Sequence, residues 1–259
     1  MGQTQLSTPL RKPVIAGNWK MNKGPTAARE FFREFISRYP AHEDRTVIFF
    51  PPAVSLLAAV EATRERPDLL LGVQNIYWKP EGAFTGEISA PMARDAGARF
   101  TLVGHSERRH LFRETDEDVR LKTVAAFEGD MTPVVCVGET LDERRAERVE
   151  EVILQQLDAA LAGLPQERIA RLVIAYEPVW AIGTGVNATP EDASAAHAVL
   201  RRRLAERVGE EVARGIPILY GGSVKPGNAA DLLGAREVDG LLVGGASLDP
   251  VGFARIAGL

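Results

Sequence analysis

The sequence predicts an α/β protein built as a closed, parallel, eight-stranded (β/α)8 barrel. Two observations carry that expectation. Eight short β-rich runs recur through 259 residues, and amphipathic segments separate them with no linker or low-complexity stretch. The runs are Val14 to Ala16, Thr46 to Phe50, Leu69 to Val73, Phe100 to Val103, Pro133 to Val137, Leu172 to Tyr176, Ile216 to Tyr220 and Gly240 to Val243. None shows strict polar alternation, as expected of parallel strands covered on both faces. An open eight-stranded sheet is the structural alternative.

The intervening segments have helical spacing. Residues 25 to 38 put Phe31, Phe32, Phe35 and Ile36 on one face, and residues 141 to 162 repeat Val149, Val152, Ile153, Leu157 and Leu161 among charges. Residues 190 to 206 open on Thr189-Pro190-Glu191-Asp192, a cap followed by proline in the first turn. The charges of 142 to 151 and 201 to 207 read as solvated helix faces. Met1 to Lys12 is polar and reads as a short N-terminal tail, leaving 13 to 259 as a single barrel domain.

Thirty-one basic and 35 acidic residues leave a net charge of -4, with no Lys/Arg tract to follow a nucleic acid or coat a membrane. No segment has the length of a signal peptide core or a membrane span. Cys136 is the only cysteine, so no intramolecular disulfide forms and the usage suits a reducing, cytoplasmic setting. It falls within a strand and reads as an inert core residue. His42, His105, His110 and His197 have no ligand spacing with one another or with Cys136, so no metal is expected.

In a barrel of this kind, function collects where strands end. Those positions hold Asn18 and Lys20 after strand 1, Gln74 and Asn75 after strand 3, His105, Ser106 and Glu107 after strand 4, and Glu177 after strand 6. Gly221-Gly222 and Gly244-Gly245 follow strands 7 and 8. A carboxylate, an ammonium group, an imidazole and two glycine turns thus converge on one mouth, a stronger signal than any one alone.

Five motifs occur in order along nearly the whole chain: Asn18-Trp19-Lys20-Met21-Asn22, Val103-Gly104-His105-Ser106-Glu107-Arg108-Arg109, Ala175 to Gly185 (AYEPVWAIGTG), Tyr220-Gly221-Gly222-Ser223-Val224 and Leu242 to Leu248 (LVGGASL). Together they resemble the triosephosphate isomerase family. The resemblance implies a TIM barrel and a cofactor-independent homodimer interconverting dihydroxyacetone phosphate and D-glyceraldehyde 3-phosphate, in glycolysis and gluconeogenesis. The rival readings are a barrel enzyme acting on a larger phosphorylated substrate and a non-catalytic sugar-phosphate-binding barrel. The presence of Lys20, His105 and Glu177 together disfavours the latter.

Moving a proton beside a carbonyl needs a positioned base and a group that holds the developing oxyanion. Glu177 is the expected base, its backbone restricted toward extended geometry by Pro178. Ser106 to Arg109 reads as a helix start, so the His105 ring is expected to accept a backbone N–H there and stay neutral, leaving its other nitrogen as donor. By resemblance His105 is the electrophile. Lys20 and Asn18 face the substrate oxygens, and Glu107 is a partner that fixes Lys20 or His105, with Ser106 and Gly222 in support. Ser223, Gly244 and Gly245 fit a phosphate cradle, with a short extra helix near Ala246. The resemblance adds Gly183 to that cradle through a lid spanning Pro178 to Ala188, whose second hinge, Val186-Asn187-Ala188, lacks the lysine common in the family. Gly183 to Ala188 also fits G-x-G-x-x-A, but that fingerprint begins at a strand end, whereas Glu177 and a proline-bearing segment intervene. Finally, the long connection Asn75 to Ala90 resembles the family's intersubunit loop, in which Thr85 braces the partner's Asn18 and Lys20 region.

Overall fold

The computed structural model describes residues 10–182 and 188–259, in which eight parallel strands close into a barrel in chain order. They are β1 (Val14–Asn18), β2 (Thr46–Phe50), β3 (Leu69–Val73), β4 (Phe100–Val103), β5 (Thr132–Val137), β6 (Val173–Tyr176), β7 (Ile218–Tyr220) and β8 (Gly240–Val243). The closing pair is β1 with β8, in register from Val14 opposite Gly240 to Gly17 opposite Val243. An open sheet is therefore excluded.

Helices wrap the strands: α1 (Pro25–Arg38), α2 (Leu56–Ala62), α3 (Ala90–Asp95), α4 (Ser106–Phe112), α5 (Asp116–Glu128) and α6 (Leu141–Arg145) cover the first half. The second half carries α7 (Val149–Leu161), α8 (Gln166–Ile169), α9 (Pro190–Val208), α10 (Glu210–Gly215), α11 (Ala229–Leu233) and α12 (Pro250–Ala257). Residues 141 to 162 form two helices where the sequence suggested one. A capping box between Thr140 and Glu143 starts α6, and Glu147, at φ 57°, interrupts the helical path before α7 begins.

Two apolar layers explain why the strands show no polar alternation. Val14, Ala16, Ile48, Phe50, Phe100, Leu102, Val134, Cys136, Val173, Ala175, Leu219 and Leu242 fill the barrel interior. Alternate residues such as Ile15, Val47, Phe49 and Ile174 pack outward under the helices. Opposite faces of each strand are thus both dry. Outside β1 and β2, Trp19, Phe31, Phe32, Phe35, Phe49 and Phe253 form a contiguous aromatic cluster, with Trp19 and Phe31 ring centroids 4.7 Å apart. Each such edge or stacked contact contributes about 0.5–1.5 kcal/mol beyond area burial. Because Trp19 lies between Asn18 and Lys20, this packing fixes the backbone of the first strand end.

Not all helix charges face water. Arg201, only 11% exposed, bonds the Ile216 carbonyl, Glu237 and Asp239, tying α9 to the loops below β7 and β8. Its partners lie 15 to 38 positions away in sequence, so a single-helix reading makes it look solvated. Nearby, His197 is fully buried and its Nδ1 lies 2.9 Å from the Glu237 carbonyl, the geometry of a neutral ring donating there. Burial pushes its pKa down to about 4.

A folded-state pKa below the ordinary imidazole value of ~6.5 means that the unfolded chain takes up a proton first as the pH falls. The His197 contribution is therefore intact above pH ~6.5 and is lost between there and about 4. By urea denaturation, lowering the pH from 7 to 5 should cost wild-type protein roughly 2 kcal/mol more than His197→Gln. Equal losses in the two proteins would contradict this assignment.

Candidate active site

Inward alternation along the strands continues past their ends. Val14 and Ala16 point into the barrel, and Asn18 follows with the same parity; Val173 and Ala175 lead to Glu177, and Leu242 leads to Gly244. These residues meet in one cavity of about 360 Å³ at the C-terminal mouth. Lys20, His105, Glu107, Gly222, Ser223 and Gly245 also line it. This volume suits a small ligand.

His105 caps α4. The Glu107 backbone N–H donates to its Nδ1 at 3.2 Å, and Nε2 lies 3.0 Å from Glu177 Oε1. Arg109 steadies the preceding turn by donating to the Gly104 carbonyl at 2.7 Å while pairing with Asp116. A ring that accepts at Nδ1 carries its proton on Nε2 and is neutral. An opposing pull is also present: burial disfavours the charged ring, but the Glu177 carboxylate outweighs it and raises the His105 pKa above the ordinary value. A second ring proton would leave the Glu107 N–H facing another donor. The neutral form therefore depends on both the amide and the placement of Glu177.

Glu177 is 2% exposed and accepts the Ser106 backbone N–H on Oε2 at 3.0 Å. Burial raises its pKa, but His105, the Ser106 N–H and Lys20 together overcome that and hold the carboxyl below its ordinary value. It is thus ionised at neutral pH. The neighbouring Cys136 thiol is pushed well above its ordinary pKa by burial and by the Glu177 charge, which keeps it protonated and unreactive.

Lys20 adopts a left-handed backbone, φ 52°, fixed by two contacts: its N–H donates to Asn18 Oδ1 at 3.0 Å and its carbonyl accepts from Gln74 at 2.8 Å. Its ammonium reaches Glu107 at 2.6 Å. Glu107 therefore serves both neighbours, the lysine through its carboxylate and His105 through its amide. With Asn18 Oδ1 engaged, the amide nitrogen of Asn18 is the group left to face a ligand.

The glycines have unequal reasons for being glycine. A Cβ on Gly222 would lie 2.2 Å from the Tyr220 hydroxyl, and one on Gly221 would lie 2.9 Å from Glu177 Cγ. Both are required by packing. A Cβ on Gly244 would sit 3.5 Å from Lys20 Cε, which places the lysine stem against that turn. Gly245 opens a short 3-10 helix, Gly245–Leu248. Gly183 and the hinge residues Val186 and Asn187 lie outside the described residues. Thr85 is exposed on the loop between β3 and α3 and does not line the cavity.

Arg144, which reads from sequence as part of a solvated face, is half-buried. It pairs with fully buried Glu139 at 3.4 Å, contacts Asp192 and stacks on Trp180 with its guanidinium 4.5 Å from the ring centroid. Glu139 in turn accepts from Trp180 Nε1 at 2.8 Å and from the Tyr176 hydroxyl at 3.1 Å. This cluster braces the chain on both sides of Glu177. The only sequence signal was Glu139 two residues beyond a strand end.

A carboxylate facing an imidazole and an ammonium group across a small, glycine-edged cavity equips a barrel enzyme for acid–base chemistry. Comparison with known proteins narrows the class. A profile of the triosephosphate isomerase family matches residues 13–259. Curated relatives named triosephosphate isomerase include those of Solibacter usitatus, 50% identical over 95% of this chain and 99% of that one, and Roseiflexus sp., 49% identical over 95% and 97%. The protein of that name from Symbiobacterium thermophilum is 48% identical over 95% of this chain and 96% of its own. The chain belongs to the triosephosphate isomerase family.

The close approach of Gly221 to Glu177 gives a test of geometry. Gly221→Ala should displace the Glu177 side chain and lower kcat by roughly 10- to 100-fold, as misplacement near 1 Å does elsewhere. Steady-state kinetics decide it, and unchanged kcat would show that the carboxylate does not depend on that contact.

Proposed function

We propose that the protein interconverts dihydroxyacetone phosphate and D-glyceraldehyde 3-phosphate, the reaction in the name of its relatives, with Glu177 as the base. The observation that carries the residue roles is the ionised, buried Glu177 beside His105 Nε2, 3.0 Å away, in the same cavity as Lys20. The proton leaves C1 of the ketose for the carboxylate, and the electron pair moves onto the carbonyl oxygen to give an enediolate. His105 Nε2–H and Lys20 stabilise that oxygen while protons redistribute between the two oxygens, and Asn18 donates to one of them. Glu177 then returns its proton to C2. No net oxidation occurs and no co-reactant is consumed.

Glu177 Oε1 lies against His105 Nε2 and Oε2 accepts from the Ser106 N–H, so Glu177 must exchange these contacts for the substrate carbon. That exchange removes the charge that raises the His105 pKa and leaves the ring neutral when it donates. The phosphate is held by backbone groups of Ser223, Gly244 and Gly245. The non-catalytic reading is not favoured. Among the described residues no group of side chains could hold a metal ion, and no helix is long and apolar enough to cross a membrane. We place the enzyme in the cytoplasm, in glycolysis and gluconeogenesis, as one barrel domain from residue 13 with neither nucleic acid nor membrane as partner.

A homodimer completes this reading. Met21 is 95% exposed and Phe112 66% exposed, and both line a second cavity of about 240 Å³ that shares Lys20, His105 and Glu107 with the first. In the loop bearing Thr85, Tyr77 stacks on Trp78 with centroids 4.1 Å apart and packs at a tilt against Phe84 at 4.5 Å, giving the loop a stiff base. That loop from the partner subunit fits the second cavity and would place Thr85 of the partner subunit near Asn18 and Lys20.

In a coupled assay run without metal or nucleotide on the isomerase side, wild-type protein should turn over both trioses, whereas Glu177→Ala should lose at least about 10²- to 10⁴-fold in kcat. An inactive wild type, or an alanine variant as fast as wild type, would end the proposal. Sedimentation equilibrium should give twice the 28.1 kDa chain mass. A fully active monomer would contradict the dimer.

A further inference from the structure

Two carboxylates and two ammonium groups line the catalytic cavity: Glu107, Glu177, Lys20 and Lys225. Lys20 is not electrostatically free, because Glu107 holds its ammonium at 2.6 Å. His105 accepts the Glu107 N–H at Nδ1, which favours a neutral ring against the pull of Glu177, and whatever charge it takes up only offsets that carboxylate. Without Lys225, the cavity that must admit a dianionic phosphate would therefore be net negative through Glu177. Residues 183 to 187 bring no charge from sequence to change that balance.

Lys225 is placed to answer this. It is exposed at the rim of the cavity, two residues beyond Ser223 on the phosphate side. Its backbone is fixed although its ammonium is not: the Lys225 N–H donates to Asn228 Oδ1 at 2.7 Å, and Asn228 Nδ2 donates to the Ser223 carbonyl at 3.0 Å. One asparagine thus ties the lysine to the same turn that carries Ser223. Among the described residues no carboxylate forms an ion pair with Lys225, whereas Lys12 and Lys122, like Lys20, have such partners.

We propose that Lys225 is a rim cation that recruits the phosphate dianion of the substrate, offsetting the negative charge of the base inside the cavity. It acts in capture and specificity, upstream of proton transfer. A solvated lysine with no role is the alternative, and salt separates the two. Screening lengths of ~30 Å at 0.01 M and ~4 Å at 0.5 M salt mean that a rim charge acts at low ionic strength and fades at high. A unit charge about 8 Å from a dianion in mostly aqueous surroundings changes capture by about fivefold.

The inference rests on the isomerase reading, and the experiment keeps the two apart. Wild type, Lys225→Gln and Lys225→Arg are assayed at 0.01 M and 0.5 M salt, with inorganic phosphate as competitive inhibitor. Lys225→Gln should lose about fivefold in kcat/KM at low salt and raise the phosphate inhibition constant by a similar factor. Its kcat should hold, and the gap should close to within about twofold at high salt. Lys225→Arg should stay near wild type. An active wild type with a glutamine variant that matches it at low salt, or that loses activity equally at both salts, overturns the role of Lys225 alone. A wild type without turnover overturns the isomerase reading, and this inference with it.

Discussion

Pairing of β8 with β1 is the constraint on which the site depends, because the groups that line its cavity come from opposite ends of the chain. Asn18 and Lys20 follow β1, and Gly244 and Gly245 follow β8; only closure puts the Lys20 stem against Gly244. The closing pair has its own requirement. At Gly240 a Cβ would fall 2.0 Å from the Val14 carbonyl oxygen, so any side chain there would force the last strand off the first. A glycine with no part in chemistry thus holds the two ends of the active site together.

Inside that frame the site is a balance between burial and charge. Burial favours neutral Glu177 and neutral His105, and in isolation each would lose its charge. Contact between them reverses this for the carboxylate, helped by one backbone amide from Ser106, and pulls the imidazole the same way. The Glu107 amide on Nδ1 is the counterweight that favours a neutral ring. A carboxylate that is ionised yet dry, opposite an imidazole that need not be cationic, follows from where two backbone N–H groups at the start of α4 point. The helix start is as much a part of the site as the side chains.

Much of this was readable in one dimension. Strand positions were legible because both barrel faces are apolar, and each strand end was marked by residues that break the apolar run. Asn18, Glu177 and Gly244 extend the inward parity of their strands, so period-two reasoning locates them without coordinates. His105 as a helix cap was legible from the polar run after it. Arg144 and Arg201 were not, since a helix periodicity shows which face is charged and says nothing of whether a carboxylate from another element lies across from it. The break between α6 and α7 was hidden for a related reason: Glu147 in a left-handed conformation has no distinctive side chain to announce it.

By itself the sequence determined the class of fold, the strand ends that meet at the cavity and, through five ordered motifs, the family. These are properties of local pattern, set by alternation, capping and residue type. The tertiary structure decided what depends on distance between remote segments: that Glu107 pairs with Lys20 while its amide serves His105, that Glu139 is buried under Trp180 and Tyr176, and that Gly221 must be glycine because Glu177 packs on it. It also decided which lysine at the cavity is already paired and which is not. Charge and desolvation act through space over a few ångströms, and a linear chain does not record which of its charges will be that close.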